Sequence, residues 1–505
     1  MILDPAAKPL EPTHNSDEIV QFWNSMEETV KLSDDKCKEE SKVNSALVTY
    51  LKMATDSYKE FIRIDQDLYR MALTLTESNL FKLQKKFCLS KLLSLLNIDL
   101  LEMNMKFLIS YILLCESKKN IHSLEIMIDF QGFNVFYNNL YTEFAYLNKY
   151  GEDKGFTQEQ LTNPVLNELN DIDAEIVDEM HQISTVLMDL LFQIFKFCKC
   201  NITALQLIDD FFVYFMMSSM RSDVTTDLFN NAQFKLILVL NEQYMMFARK
   251  YEIENKIFKY LINGTISKKF TELLLLTFNR SEDVSIKIMM CKVLYLILTT
   301  TEDGIAMNFF YLNDLHVFVD VMLRELQDIS ENEEVLRNTF LRVLLPLLKN
   351  TELSKTQYRR ADIVKLLRYL TDFDNICTDG TVLHEHKNTV TLAFKCLTQV
   401  DWLSYTPSEE DPDLPASRAS SISIVGMSLT EAESKPKPNS HNYSNNEYLT
   451  LPIDGHLRVN KSFSVSAESL GTRKAKPPPP PPPARKAISQ SRNNVTSYIM
   501  GIRPN

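Results

Sequence analysis

The chain has 505 residues, a formal net charge of −12, 45% hydrophobic and 24% charged residues, which is ordinary for a folded protein large enough for several domains or one repeat array. The charge is uneven: 42 basic against 57 acidic side chains over residues 1–403, and 12 against 9 over residues 404–505. An acidic body with no basic stripe argues against nucleic acid as its main partner, and ten glycines in all argue against loops that cradle phosphates.

Residues 1–16 carry Pro5, Pro9 and Pro12 and are expected to be extended. From Asp17 onward helical spacing takes over, and only Pro164 and Pro346 interrupt it before Leu403. The most apolar stretch, Lys91–Cys115, is broken by Asp99, Glu102 and Lys106. A membrane span needs about 18–20 apolar residues, so this stretch is predicted to be two buried helices and no transmembrane segment is expected. The loop Lys149–Pro164 is the expected junction between two lobes. Ala204–Met220 is apolar almost all round apart from Asp209 and Asp210 and is predicted to be one buried helix.

The stretch after Ser285 sets Ile286, Met289, Val293 and Ile297 on one stripe, with Gly304 as a left-handed stop. Asn313 or Asp314 then caps a helix carrying Leu315, Val319, Met322 and Leu326 at helical spacing. The next helix carries Leu336, Phe340, Val343 and Leu347 and contains Pro346, which is expected to kink it or to end its first half. Two more apolar stretches, Arg360–Leu370 and Thr389–Leu403, complete the body. Segments start about 20–25 residues apart, so a helix pair takes about 40–47, the period of armadillo and HEAT arrays. The fold class expected is all-α: an armadillo/HEAT-like right-handed α-solenoid over residues 17–403. Residues 404–505, rich in Ser, Pro and Asn, are expected to be a disordered tail.

Catalytic patterns are absent. No Walker, dinucleotide or nucleophile-elbow motif occurs. His384, Glu385 and His386 have an i, i+2 spacing and no third ligand nearby, and are read as a solvated loop. Cys198 and Cys200 are read as thiols in the core or at a helix end, and Asp209–Asp210 as charges on a helix face. The chain reads as a non-enzyme that uses no cofactor and no metal.

The most distinctive text is Met307–Leu367. It holds an F-Y-x-N-D-x-x-V-x-x-D-V-x-x-R-E-L run at Phe310–Leu326, an L-R-x-T-F-L-R-V-L-x-P-L-L-x-x-T run at Leu336–Thr351, and Y-R-R at Tyr358–Arg360. This region resembles the signature of the WISH/DIP (WDS) family, armadillo-type activators of the actin-related protein 2/3 complex. The proline-bearing tail is similar to that of the fungal endocytic members of the low dye-binding type. With residues 1–16 alone ahead of the helices, no N-terminal SH3 domain of the animal kind is expected. The resemblance implies a protein that binds the complex through its helical body and seeds linear filaments without a mother filament at cortical actin patches in the cytoplasm. Arg324, Arg337, Arg342, Arg359 and Arg360 are the candidate ridge for that contact, against a plainer reading as solvated or internally paired arginines. Charge reversal at Arg337 or Arg342 is expected to abolish activation and leave melting intact.

In the tail, Gly471–Ser489 contains seven consecutive prolines, Pro477–Pro483. Such a run forms a polyproline II rod, and SH3 grooves read PxxP with one basic anchor. Pro480, Pro483 and Arg485 fit one orientation; Lys474, Pro477 and Pro480 fit the other, with Lys476 beside them. Residues 473–486 are thus a candidate address for SH3-domain endocytic proteins, with profilin a competing partner. Ser417–Ser423 around Arg418 reads as a kinase target. Two other functions fit the sequence: an armadillo adaptor without activating power that links SH3 proteins to an actin or trafficking partner, and a formin-like GTPase-binding regulator.

Overall fold

The computed structural model describes residues 16–151, 164–198, 201–221, 227–300, 304–377 and 383–404. These residues form 22 α-helices and no β-strand, so the fold is all-α. They are α1 (Ser16–Val30), α2 (Asp34–Cys37), α3 (Glu40–Asp56), α4 (Asp65–Thr76), α5 (Asn79–Leu83), α6 (Lys85–Leu96), α7 (Met103–Lys119) and α8 (Ile121–Asp129). Next come α9 (Gly132–Tyr150), α10 (Pro164–Phe197), α11 (Ile202–Leu207), α12 (Asp210–Ser218), α13 (Leu228–Tyr251), α14 (Lys256–Leu261) and α15 (Gly264–Arg280). The last are α16 (Val284–Thr299), α17 (Ile305–Asn308), α18 (Leu312–Asp328), α19 (Glu334–Asn350), α20 (Leu353–Thr356), α21 (Arg360–Leu370) and α22 (His384–Gln399).

With little glycine or proline to punctuate it, the chain starts its helices with short polar side chains. Ser78, Asn120, Asn201, Asp209, Asp227, Asn255, Asn263 and Asp283 each accept a hydrogen bond from a backbone N–H of the first turn that follows.

Packing repeats every third helix. α1, α4, α7, α10, α13, α16, α19 and α22 form one series in which each helix packs on its predecessor. α3, α6, α9, α12, α15, α18 and α21 form a second series stacked the same way. Seven short helices, each of four to nine residues, link the two. This nearest-neighbour order is that of an α-solenoid. The unit differs from the expected helix pair: it has three helices. Bonds between successive units join residues about fifty apart: Lys259 to Asp210 (49), Lys292 to Glu242 (50), Asn350 to Leu298 (52) and Trp402 to Leu348 (54). Helices of four to nine residues are too short to show a clear hydrophobic period, so the sequence hides one helix in three.

The stack runs on across the expected junction. α9 and α10 pack on each other, and α10 also packs on both α7 and α13. Residues 152–163 lie outside the described residues. The stretch expected as one helix at Ala204–Met220 is two, α11 and α12. Asp209 breaks it: its carboxylate caps α12 by accepting from Phe212 N–H at 2.9 Å and accepts from the Tyr141 hydroxyl at 3.0 Å. Asp210 pairs with Lys259 at 2.8 Å, so neither is an idle surface charge. Asp209→Ala is expected to cost about 1 kcal/mol, the usual worth of an N-cap, read as a lower thermal midpoint.

Gly304 is left-handed, with φ 76°, but it enters α17 instead of ending α16, which stops at Thr299. α18 is capped by Tyr311, and Asp314 sits inside its first turn, where burial raises its carboxyl pKa while a bond to the Tyr311 backbone opposes that. α19 runs through Pro346 to Asn350. The long-series helices in the middle of the stack have neighbours on two sides and are buried nearly all round, α16 and α19 above all.

Several charges lie between helices. Lys287 and Lys292 of α16 pair with Glu325 of α18 and Glu242 of α13, and Lys85 of α6 pairs with Glu116 of α7 at 2.7 Å. Each pair joins two different helices, and breaking one would strand a buried charge. Glu143 of α9 has no such partner: it is 3% exposed, takes one hydrogen bond from Ser184 Oγ at 2.8 Å, and burial pushes its pKa up to about 8. The folded state therefore holds this proton more tightly than the unfolded chain, whose carboxyl titrates near 4.5. That contribution is fully present below about pH 4.5 and is lost as pH rises through 8. Glu143→Gln is expected to flatten the melting-temperature profile between pH 5 and 8 and to raise the midpoint at pH 8; an unchanged profile would show that Glu143 does not titrate there.

Candidate functional site

The three runs of the signature meet in space. Phe318 from the first run and Phe340 from the second close on Phe278 of α15, with ring centroids 5.4 and 5.6 Å away, and Phe310 of the first run packs on Phe318 at 5.1 Å. This aromatic cluster fixes α18 against α15 and α19. Thr351, at the end of the second run, accepts from Leu353 N–H at 3.3 Å and starts the short α20. The chain then turns through Gln357 and Arg359, which flank Tyr358 and have φ of 51° and 52°.

Non-glycine residues in that region are strained, by of order 1–3 kcal/mol each. The surroundings hold the turn in place. The Tyr358 ring stacks on His316 of α18 at 3.9 Å and 15°, and its hydroxyl donates to Asp320 at 3.2 Å. Arg359 donates to Asp320 at 2.9 Å and to Asp362 at 2.8 Å. Hydrogen bonding to those two carboxylates, Asp320 first, raises the Arg359 pKa further, while partial burial and then the Asp320 charge raise that of Tyr358. Arg360 donates to the Trp402 carbonyl at 2.7 Å and ties the turn to the end of the body.

Asn313, Val317, Asp320, Arg324 and Gln327 follow one another along the open side of α18 at i, i+4, i+7, i+11 and i+14, all exposed except the half-exposed Asp320. With the Tyr358 turn they make a mixed-charge platform between α18 and α21, preset by stacking and ion pairs. Nothing on it pairs a nucleophile with a base, and no group of three metal-ligating side chains occurs among the described residues. The arrangement suits recognition of another macromolecule's surface. The large hollow of about 730 Å³ between α1 and α4, lined by Glu27, Gln66, Tyr69 and Arg70 among others, also carries no such grouping.

The candidate arginines do not form one ridge. Arg324 is exposed and donates to Asn279, and Arg359 is exposed on the platform. Arg342 and Arg360 are half-buried. Arg337 is not a surface residue at all: it is 5% exposed, pairs with Glu334, which is 4% exposed, and donates to the Ile329 carbonyl. Burial lowers its pKa. Arg337 and Arg342 are five positions apart on α19, about 140° around the helix, so they point to different sides.

His384–His386, expected in a loop, open α22 instead; His386 is buried, and its Nδ1 accepts from Leu383 N–H at 3.1 Å. Cys198 is half-buried at the end of α10, and Cys200 lies outside the described residues. So do Lys474, Lys476, Pro477, Pro480, Pro483 and Arg485 of the proline segment. His316, Asp320 and Tyr358 are not among the contact residues named from sequence. The signal was the spelling of the first and third runs, whose Asp320 and Tyr358–Arg359 prove to bond each other.

The family model described as SPIN90/Ldb17, leucine-rich domain, matches residues 226–363, which span α13 to α21. Protein LDB17 of Saccharomyces cerevisiae is 58% identical over 488 residues, covering 94% of this chain and 96% of that one. The chain belongs to the SPIN90/Ldb17 family. A second relative of the same name, from Eremothecium gossypii, is 53% identical over 75% of this chain and 81% of its own length. Protein dip1 of Schizosaccharomyces pombe is 32% identical over 173 residues, 32% of this chain and 45% of that protein. The SPIN90/Ldb17 match contains the aromatic cluster, the open face of α18 and the whole Tyr358 turn. Among the described residues, no helix is long and apolar enough to cross a membrane.

Proposed function

We propose that this chain activates the actin-related protein 2/3 complex and so seeds linear actin filaments without a mother filament. The observation that carries the reading is the Tyr358 platform: the signature that resembles the WISH/DIP activators assembles into one preset, exposed surface in a chain that belongs to the SPIN90/Ldb17 family. A stacked helical body is suited to hold a partner in one of its conformations. It activates only if it binds the active form more tightly than the inactive one. On this reading the protein is a regulator and not an enzyme, and it works in the cytoplasm at cortical actin patches. SH3-domain endocytic proteins bring it there by binding Lys474–Arg485, with profilin the alternative reader of the same proline run.

The deciding experiment mixes purified protein, actin and the actin-related complex with no added filaments and follows pyrene-actin fluorescence. Acceleration supports the proposal; binding without acceleration selects the adaptor reading. Deleting Lys474–Lys486 is expected to leave that acceleration unchanged while the tagged protein leaves cortical patches in cells. Arg485→Ala in a tail-peptide pull-down should weaken SH3 capture markedly and profilin capture much less.

A further inference from the structure

α22 ends the long series, and only one side of it is covered. His386, Thr389, Ala393 and Cys396 are buried where α19 and α21 pack on it. On the adjoining flank Leu383, Val390, Phe394 and Leu397 fall within about 60° of one another around the helix. Leu383 and Phe394 are each 53% exposed, and Val390 and Leu397 are half-buried. Terminal units of stacked arrays ordinarily turn a polar face to water. This flank is apolar along about 20 Å of helix, edged by the exposed Lys387, with the exposed Lys395 about 100° further round than Phe394.

The chain itself supplies a matching segment. The body ends at Ser404, with Trp402 anchored through its indole N–H to the Leu348 carbonyl at 3.1 Å. The first apolar cluster beyond that point is Ile422, Ile424, Val425, Met427 and Leu429. The intervening text contains Glu409, Glu410, Asp411 and Asp413, opposite in charge to the two lysines. Seventeen residues, 405–421, separate the two. Random-coil scaling gives seventeen residues a typical span of about 23 Å, which matches the length of the flank. Such a linker gives an effective concentration on the order of millimolar, so an intrinsic affinity of only about 100 μM leaves the docked form about tenfold in excess.

We propose that residues 422–429 dock intramolecularly on the apolar flank of α22 and close the open end of the helical body. Ser417, Ser420 and Ser421 are the last serines of the same linker; phosphorylating them adds negative charge next to the docked segment.

Hydrogen–deuterium exchange on the full chain tests this. Peptides covering 422–429 should exchange about tenfold more slowly than an unstructured chain, and α22 should be protected on the same flank. Phe394→Asp and, separately, Val425→Asp should each abolish the protection of 422–429 and lower the melting temperature by no more than the loss of a tenfold docking equilibrium, about 1.4 kcal/mol, since Phe394 is already half in water. Free-chain exchange of 422–429 in the wild type would overturn the proposal. So would protection that survives Phe394→Asp. Protection that disappears on dilution together with a doubled mass would assign the flank to a second copy and also overturn it.

Discussion

Arg337→Met is expected to destabilise the end of the body by about 3–5 kcal/mol, the cost of leaving one member of a buried ion pair alone. The Glu334 carboxylate would keep only the Thr389 hydroxyl, which bonds its Oε2 from α22. The Ile329 carbonyl would lose its donor from the same guanidinium. Replacing both charges, Arg337→Met with Glu334→Leu, should recover most of the loss, because an apolar pair carries no desolvation cost. In a stacked array the damage stays with the neighbouring units. Faster amide exchange should therefore appear in α19, α21 and α22 and not in α1–α7. A melting curve for Arg337→Met within a degree of the wild type would refute the buried pair. This is the reverse of what the sequence alone led one to expect for Arg337, namely lost activity with intact melting.

The reason for that reversal shows what a sequence of this kind reveals. Apolar stripes were legible: Leu315, Val319, Met322 and Leu326, and Phe340, Val343 and Leu347, are all buried. α21 spans Arg360–Leu370, and the apolar text around residues 91–115 resolves into α6 and α7, as read. Charge was a poor guide to the surface. α19 is enclosed by α16, α18 and α22, so Arg337 and Glu334 are inside whatever their type. Asp209 looked like a charge on a helix and is a cap, because a carboxylate competes for backbone N–H groups wherever the chain can break. His386 likewise bonds the backbone at the start of α22. The Tyr358 turn was illegible for a different reason. Left-handed backbone is forecast from glycine, and here Gln357 and Arg359 adopt it only because His316, Asp320 and Asp362 hold the turn from other elements. The signature pointed to this stretch; only the structure shows why Asp320 and Tyr358 belong to one motif.

On the function proposed above, Arg359→Glu is expected to cut activation of the actin-related complex at least about tenfold, the scale of losing a charged anchor at an interface, while the melting temperature moves little. The side chain is 41% exposed, and exposed pairs contribute little to stability. The substitution would set a third carboxylate against Asp320 and Asp362 and release the turn, so the platform would lose both its positive centre and its shape. Gln357→Gly is the control that leaves both in place. Glycine accepts a φ of 51° without strain, so this variant should melt slightly higher and activate as the wild type does. Asp320→Asn should fall between them, because it keeps the size of the side chain and a hydrogen bond to Tyr358 but removes the charge that pairs with Arg359. If Arg359→Glu activates normally in the pyrene-actin assay while Gln357→Gly behaves as expected, the turn is structural and the contact with the complex lies elsewhere on the stack. If both lose activation, the exposed Gln357 side chain is itself part of the contact, since Gln357→Gly keeps every charge of the platform and the left-handed backbone of the turn.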